Sequence, residues 1–100
     1  MPNAQAPVLS ACEWIFAGES LPAVLQRLTA AGCTGIEISG EPDRADRARL
    51  ASDLAQAGMR ATGITAACSA PTDQRDLSHE DAAARRRAIH YYRGCIDLAV

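Results

Sequence analysis

The sequence contains no lysine, and no apolar run in it approaches the roughly 20 residues that a membrane-spanning helix requires. Without lysine, the phosphate-binding pattern GxxxxGK(S/T) cannot occur, and the GxGxxG turn of dinucleotide-binding sheets is also missing. The net charge of −2 provides no general basic surface for nucleic acids or acidic lipids. We therefore expect neither a nucleic-acid partner nor a membrane partner.

Cysteine pairs of the CxxC type are absent as well. The four cysteines, Cys12, Cys33, Cys68 and Cys95, are widely spaced, so we expect free thiols and neither a disulfide framework nor a zinc site. The first residues, 1–7, lack the basic and apolar regions of a secretory signal. We interpret them as a short leader and expect a cytoplasmic protein.

Three strand-like apolar runs alternate with segments of helical periodicity. The predicted strands are Val8–Trp14, Thr34–Ser39 and Thr62–Ala67. Short turns between each helix and the next strand favour parallel pairing, because a right-handed helical crossover returns the chain to the same edge of the sheet. The pattern predicts an α/β fold, and it leaves two closures open: an open doubly wound sheet or a (β/α)8 barrel.

Capping residues and apolar spacing predict where the helices lie. The first helix is expected to start after Ser20 and to end at Gly32, and the second to run from near Asp43 to Gly58. The third is expected to open at Ser78. The second helix should bury Leu50, Ala51, Leu54 and Ala57, and the third Ala88, Ile89, Tyr92, Cys95, Ile96 and Ala99, with Tyr91, Arg93 and Asp97 on its other face.

The second strand has one apolar and one polar face. Ile36 and Ile38 point to one side and Glu37 and Ser39 to the other, because side chains alternate along a strand. In a barrel the polar pair would face the lumen, where working residues lie at the carboxyl ends of strands. This polarity favours the barrel. Glu37 is then a candidate for substrate binding, or alternatively a carboxylate that pairs with an arginine or a helix N-terminus.

Other candidate residues lie at or after the ends of the first and third strands. Trp14 could stack on a sugar ring or be a rim aromatic, and Cys68 could touch a ligand or be an inert thiol. Arg75 and His79, in the long polar connection after the third strand, are candidate ligand contacts or ordinary surface residues. The consecutive residues 85–87 are all arginine and are expected to form a solvated helix surface and not a phosphate-binding site.

Three segments carry a resemblance to a known family: SACEWIF, LTAAGCTGIEISGEPD, and the stretch from TGITAACSAPTD to RRRAIHYYRGCIDLA. They resemble the amino-terminal region of the sugar phosphate isomerases/epimerases, in the xylose-isomerase-like barrel superfamily. The resemblance covers about residues 8–100. It implies a TIM-barrel domain of which this chain holds about the first three βα units.

The resemblance implies an enzyme of carbohydrate metabolism that isomerises or epimerises a ketose, sugar phosphate or related polyol through an enediolate. A divalent metal, Mn²⁺, Mg²⁺ or Co²⁺, would be bound by residues of the later strands, so no metal ligand and no catalytic residue is assigned here. The resemblance implies substrate contacts at Trp14 or Phe16, at Glu37 and in the Ala67–Cys68 region. With His79, which we predict from its place in the loop after the third strand, the predicted substrate-binding residues are Trp14, Phe16, Glu37, Cys68 and His79.

Two alternatives to this function remain, and a third is disfavoured. One is a lyase or dehydratase on an oxidised sugar, which shares the enediolate. Another is a non-catalytic barrel fragment, whose open strand edges favour self-association into a homo-oligomer. The endonuclease IV relatives of the superfamily place a zinc-binding histidine after the third strand, where this chain has Ala67, Cys68 and Ser69. Together with the charge, this disfavours a nuclease.

Overall fold

The computed structural model describes residues 7–43, 45–66 and 75–100. Its elements are β1 (Ser10–Cys12), a 3₁₀ helix (Glu13–Phe16), α1 (Leu21–Ala30), β2 (Gly35–Gly40), α2 (Arg47–Ala57), β3 (Arg60–Ala66) and α3 (Ala82–Ala99). The strands pair in parallel in the order β1-β2-β3. The predicted α/β class and the parallel pairing are confirmed. No helix among these residues has the length and apolarity to cross a membrane.

The ends of α1 and α2 follow local sequence signals. The Ser20 hydroxyl accepts a hydrogen bond from the Ala23 amide at 3.4 Å, which caps α1 as predicted. Gly32 and Gly58, which follow these helices, have φ values of +87° and +65°, in the left-handed region where glycine is favoured. The predicted start of α2 near Asp43 is wrong, because Asp46 supplies the cap through the Arg49 amide at 3.0 Å.

The third helix begins later than the sequence predicted. Asp81, and not Ser78, is its N-cap, and the Asp81 carboxylate accepts a hydrogen bond from the Ala83 amide at 3.2 Å. Ser78 is engaged elsewhere, since both its amide and its hydroxyl donate to the Asp76 carboxylate at 2.8 and 2.6 Å. The turn before α3 is thus organised by two aspartates, each acting as a local acceptor.

The hydrophobic core lies between the sheet and the first two helices. Its buried members are Val24, Leu25, Leu28, Ile36, Ile38 and Met59. Leu50, Leu54 and Ala57 of α2 pack against this core as predicted, whereas Ala51 is exposed. Ile36 and Ile38 therefore face the helices, as expected, and Glu37 projects from the opposite face of β2.

The buried face of α3 differs from the prediction. Ala84, Ala88, Tyr91 and Cys95 are buried, whereas Ile89 and Ile96 are exposed. The reason lies at the end of β2, where the Tyr91 hydroxyl donates to the Gly40 carbonyl at 2.6 Å. This buried hydrogen bond turns the tyrosine inward, and the two small alanines on the same face allow the helix to come close to the sheet.

The first strand is shorter than predicted, and a side chain takes a hydrogen bond that a longer strand could have made through its backbone. β1 pairs only over Ser10–Cys12, and the chain then turns into the 3₁₀ helix. The Glu13 side chain accepts a hydrogen bond from the Ser39 amide at 2.8 Å, where a longer β1 could have offered a backbone carbonyl. A carboxylate from the first βα unit thereby completes the hydrogen bonding of the second strand.

A bulge in β3 adjusts the register beside Glu37. Ile36 is paired with Ala61 and Glu37 with Gly63, so Thr62 is an extra residue on β3. The bulge places a glycine, and no larger side chain, next to the carboxylate. A Cβ atom at Gly63 would lie 3.7 Å from both Glu37 Cγ and Glu37 Oε1.

Candidate functional site

The sheet face that points away from the helices is lined by small and polar side chains. We call it the polar face, and its described members are Ser10, Cys12, Gly35, Glu37, Ser39, Thr62, Gly63 and Thr65. Ser10 and Thr62 share a hydrogen bond of 2.6 Å between their hydroxyls. Parallel sheets covered by helices on both sides carry apolar residues on both faces. This face is instead suited to polar contacts.

Glu37 lies at the centre of the polar face and is held by both neighbouring strands. The Cys12 thiol donates to its Oε2 at 3.1 Å, and the Thr65 hydroxyl donates to the same oxygen at 2.8 Å. Among the residues that the structure describes, no hydrogen bond reaches Oε1. One carboxylate oxygen is therefore fixed from two sides, and the other faces the space above Gly63.

The two hydrogen bonds shift the ionisation of both partners. Thr65, followed by Cys12, holds the pKa of the Glu37 carboxyl below its ordinary value, because both donors stabilise the charged form. The hydrogen bond to Glu37 raises the pKa of the Cys12 thiol, and burial adds to the effect. At neutral pH this gives an ionised carboxylate beside a protonated thiol, so Cys12 acts as a hydrogen-bond donor and not as a nucleophile.

Trp14 and Glu13 adjoin this group from the 3₁₀ helix. The Trp14 indole interacts with the Cys12 thiol and counteracts part of the rise in its pKa. Its side chain is nevertheless 59% exposed, which leaves ring surface available to a ligand. Of the residues predicted to bind substrate, Trp14 and Glu37 are thus brought together through their shared neighbour Cys12.

The remaining predicted contacts are located elsewhere or lie outside the described residues. Phe16 is half-buried and packs against the hydrophobic core. His79 belongs to the turn before α3, where its Nδ1 accepts a hydrogen bond from the Asp81 amide at 3.0 Å. Cys68 lies outside the described residues, as does Ala67. A contact of Phe16, His79 or Cys68 with substrate stays a prediction.

Arg75 has a structural role that neither sequence interpretation included. Its guanidinium donates to both oxygens of Glu41 at 3.2 and 2.9 Å, in the bidentate geometry that suits arginine and carboxylate. It also lies 4.2 Å from the centre of the Tyr91 ring. The hydrogen bonds to Glu41 raise the pKa of Arg75 further. Arg75 thus connects the segment before α3 to the residue that follows β2.

Sequence reasoning missed the two side chains that hold Glu37. The prediction of a free thiol at Cys12 does not include its contact with Glu37, and Thr65 is absent from the predicted site. Strand register contained a usable signal, because Cys12 pairs directly with Glu37 in the sheet. The bulge hid the position of Thr65, since an uninterrupted β3 would have shifted each later residue by one position.

The free energy of unfolding at acid pH should depend on the ionisation of the Glu37 carboxylate. Because its pKa is lower in the folded state, the ionised group stabilises the fold above about pH 4.5, the ordinary glutamate value. That contribution is lost as the pH falls through the folded-state pKa. In urea titrations between about pH 6 and pH 3, the free energy of unfolding of Glu37→Gln should therefore fall less steeply than that of the wild type.

Asp76 and Asp81 also contribute to the pH dependence of the free energy of unfolding. The pKa of each is also lowered, mainly by hydrogen bonds from Ser78 and from the Ala83 amide respectively. Both aspartates remain in Glu37→Gln, so only the difference between the two pH curves reflects Glu37. Parallel curves over the whole acid range would contradict the hydrogen-bonded arrangement described for Glu37.

No group of three or more His, Cys, Asp or Glu side chains suited to a metal ion occurs within residues 7–43, 45–66 and 75–100. Comparisons of this chain with protein families, curated proteins and solved structures found no match. The geometry of the polar face is accordingly the basis for a functional assignment.

Proposed function

We propose that this chain forms the substrate-facing first part of a metal-dependent isomerase or epimerase that acts on a ketose, sugar phosphate or related polyol. The observation that carries the proposal is the Glu37 carboxylate, which has one oxygen held by Cys12 and Thr65 and the other open on the polar face. An ionised carboxylate in this position is a strong acceptor for a sugar hydroxyl.

Strand order and helix placement support a barrel as the fold of the complete domain. The strands follow one another in sequence order, and α1 and α2 pack on the same side of the sheet. Gly40 shares that side with Ile36 and Ile38, and a Cβ atom there would lie 3.0 Å from Cys95 Sγ of α3. Helices outside and small polar residues inside are the arrangement of a (β/α)8 barrel at its lumen.

The chemistry of the Glu37 group suits ligand binding more than proton transfer. A general base works best when its pKa is near the working pH, and the hydrogen bonds from Thr65 and Cys12 move the pKa of Glu37 in the opposite direction. Glu37 would therefore orient the substrate through a hydroxyl group, and the exposed Trp14 ring would bound the pocket on the β1 side.

The divalent metal of this proposal finds no ligand set among the described residues. When bound, such an ion would act as a Lewis acid on adjacent ketose oxygens. We derive no step through it. The contribution assigned to this chain is to bind and orient the sugar.

The test is turnover of a panel of ketoses and polyols, phosphorylated and unmodified, by the complete gene product that contains this chain, purified with Mn²⁺, Mg²⁺ or Co²⁺. We expect a stereoisomer or an aldose–ketose pair to appear in NMR spectra. Losing a charged hydrogen bond costs about 1.5–3 kcal/mol. Glu37→Gln should therefore lower kcat/KM about 10- to 150-fold. Glu80→Gln, in the exposed turn before α3, is the matched control and should leave it unchanged.

Gly63→Ala provides an independent probe of the same pocket. The new methyl group would be at ordinary contact distance from Glu37, 3.7 Å from Oε1, so the fold should tolerate it. It would occupy the space in which a hydroxyl approaches Oε1. We expect KM to rise with little change in the free energy of unfolding, measured in urea. An unchanged KM would contradict the assignment of Oε1 as the ligand-binding oxygen.

Product analysis distinguishes the alternatives to an isomerase. Loss of water or of another β-substituent would instead support a lyase or dehydratase on an oxidised sugar. If the whole panel remained unchanged with every metal, the non-catalytic alternative would replace the proposal.

A further inference from the structure

A second candidate site lies away from the polar face, in a groove between α3 and the segment that follows β2. The groove has a volume of about 570 Å³. It is lined by Pro42, Asp43, Arg75, Ala83, Arg86, Arg87, His90, Tyr91 and Gly94. Pro42 and Gly94 close one end, because a Cβ atom at Gly94 would lie only 3.0 Å from Pro42 Cγ. The groove therefore suits a small ligand.

Arginine dominates the charge of this groove. The charge of Arg75 is compensated by its bidentate ion pair with Glu41. Arg86 and Arg87 form no ion pair within the described part of the chain, although the Asp81 carboxylate interacts electrostatically with Arg87. Asp43 is the one acidic side chain among the lining residues. The groove is therefore net positive even when His90 is neutral, although the chain as a whole has a net charge of −2.

Helix geometry places these donors side by side. Arg86 and His90 are four residues apart and are neighbours on the surface of α3, as are Arg87 and Tyr91. Arg85, the remaining member of the arginine run, has a different role, because it donates to the carbonyls of His79 and Glu80 at 2.7 and 2.9 Å. The run is thus not a uniform solvated surface, since two of its members line one groove.

We infer that this groove binds a phosphate monoester or free phosphate through Arg86 and Arg87, with His90 as an additional donor. Guanidinium groups present paired N–H donors that match the oxygens of a phosphate. Two adjacent arginines, of which Arg87 alone has a carboxylate, Asp81, acting on its charge among the residues that the structure describes, suit a dianion better than a singly charged carboxylate. The groove does not include the Glu37 group, so this inference goes beyond the proposed sugar chemistry and does not depend on it.

The decisive variant is Arg86→Gln/Arg87→Gln, because both side chains are exposed and their replacement should leave the fold intact. Arg93→Gln is the matched control, since Arg93 is an exposed arginine of the same helix that does not line the groove. Binding of inorganic phosphate is measured by titration calorimetry at constant ionic strength. We expect the double variant to bind phosphate at least about tenfold more weakly, and Arg93→Gln to bind it as the wild type does.

Two further binding measurements, with a sugar phosphate and with the same sugar without phosphate, identify the source of the phosphate group. If the wild type binds a sugar phosphate more tightly than inorganic phosphate, and the double variant binds the two equally, the ligand is a phosphosugar. If the wild type binds the sugar phosphate and inorganic phosphate equally, the ligand is free phosphate. The sugar without phosphate should bind equally to wild type and double variant. No phosphate binding to the wild type, or equal losses in the double variant and Arg93→Gln, would overturn the inference. Glu37→Gln should leave phosphate binding unchanged, so failure here is separable from failure of the proposed function.

Discussion

Ile36→Ala should reduce the free energy of unfolding by about 2–5 kcal/mol. Ile36 is 0% exposed and lies at the centre of the core that joins β2 to α1 and α2. Its truncation removes apolar contact and leaves a cavity, because β2 is fixed by a strand on each side and the surrounding residues cannot close the gap. A domain of this size is stabilised by roughly 5–15 kcal/mol in total, so the loss is a large share.

Urea denaturation followed by circular dichroism measures this effect. Ile96→Ala is the matched control: the same residue type is removed from α3, but Ile96 is 63% exposed. Its effect should stay within about 0.5 kcal/mol of zero. Equal losses in the two variants would contradict the assignment of the core to the α1 and α2 side of the sheet.

Gly40→Ala should reduce the free energy of unfolding by about 1–3 kcal/mol although it adds only one methyl group. A Cβ atom there would lie 2.9 Å from the Thr65 carbonyl oxygen, 3.0 Å from Cys95 Sγ and 3.1 Å from the Tyr91 hydroxyl oxygen. The nearest of these is backbone and cannot move aside. Relief of the two contacts with Cys95 and Tyr91 would require α3 to shift outward, which weakens the buried hydrogen bond from Tyr91 to Gly40.

Gly63→Ala is the control for this prediction, because it makes the same replacement on the neighbouring strand. The nearest atoms there are at 3.7 Å, so no clash arises. Both replacements reduce the entropy of the unfolded chain in the same way, and this term cancels in the comparison. If Gly40→Ala proved as stable as Gly63→Ala in urea titrations, the close packing of α3 on the end of β2 would be wrong.

Much of the fold could be predicted from local sequence signals. The alternation at Ile36, Glu37 and Ile38 was sufficient to assign the two faces of β2, because burial on one side imposes a strict period of two. The helix ends marked by Ser20, Gly32 and Gly58 could likewise be predicted from the sequence, because each residue acts through its own backbone or an amide a few residues away.

Features that depend on residues far apart in the chain could not be predicted from the sequence. The buried face of α3 is determined by Tyr91 reaching Gly40, a residue 51 positions earlier, and an amphipathic pattern cannot reveal such a partner. The candidate site shows the same limit. Glu37 was found from its polarity within an apolar strand, whereas its link to Thr65 depends on the bulge in β3.

The contacts around Arg75 and Tyr91 also affect how the molecule opens. In a chain of βα units each helix could come away with its own strand and leave the other units in place. Here α3 is tied to the end of β2 by Tyr91, and the segment before α3 by Arg75, across the intervening unit. Opening of α3 should therefore also disturb the end of the central strand, and we expect the described part of the chain to open as one cooperative unit and not as three independent ones.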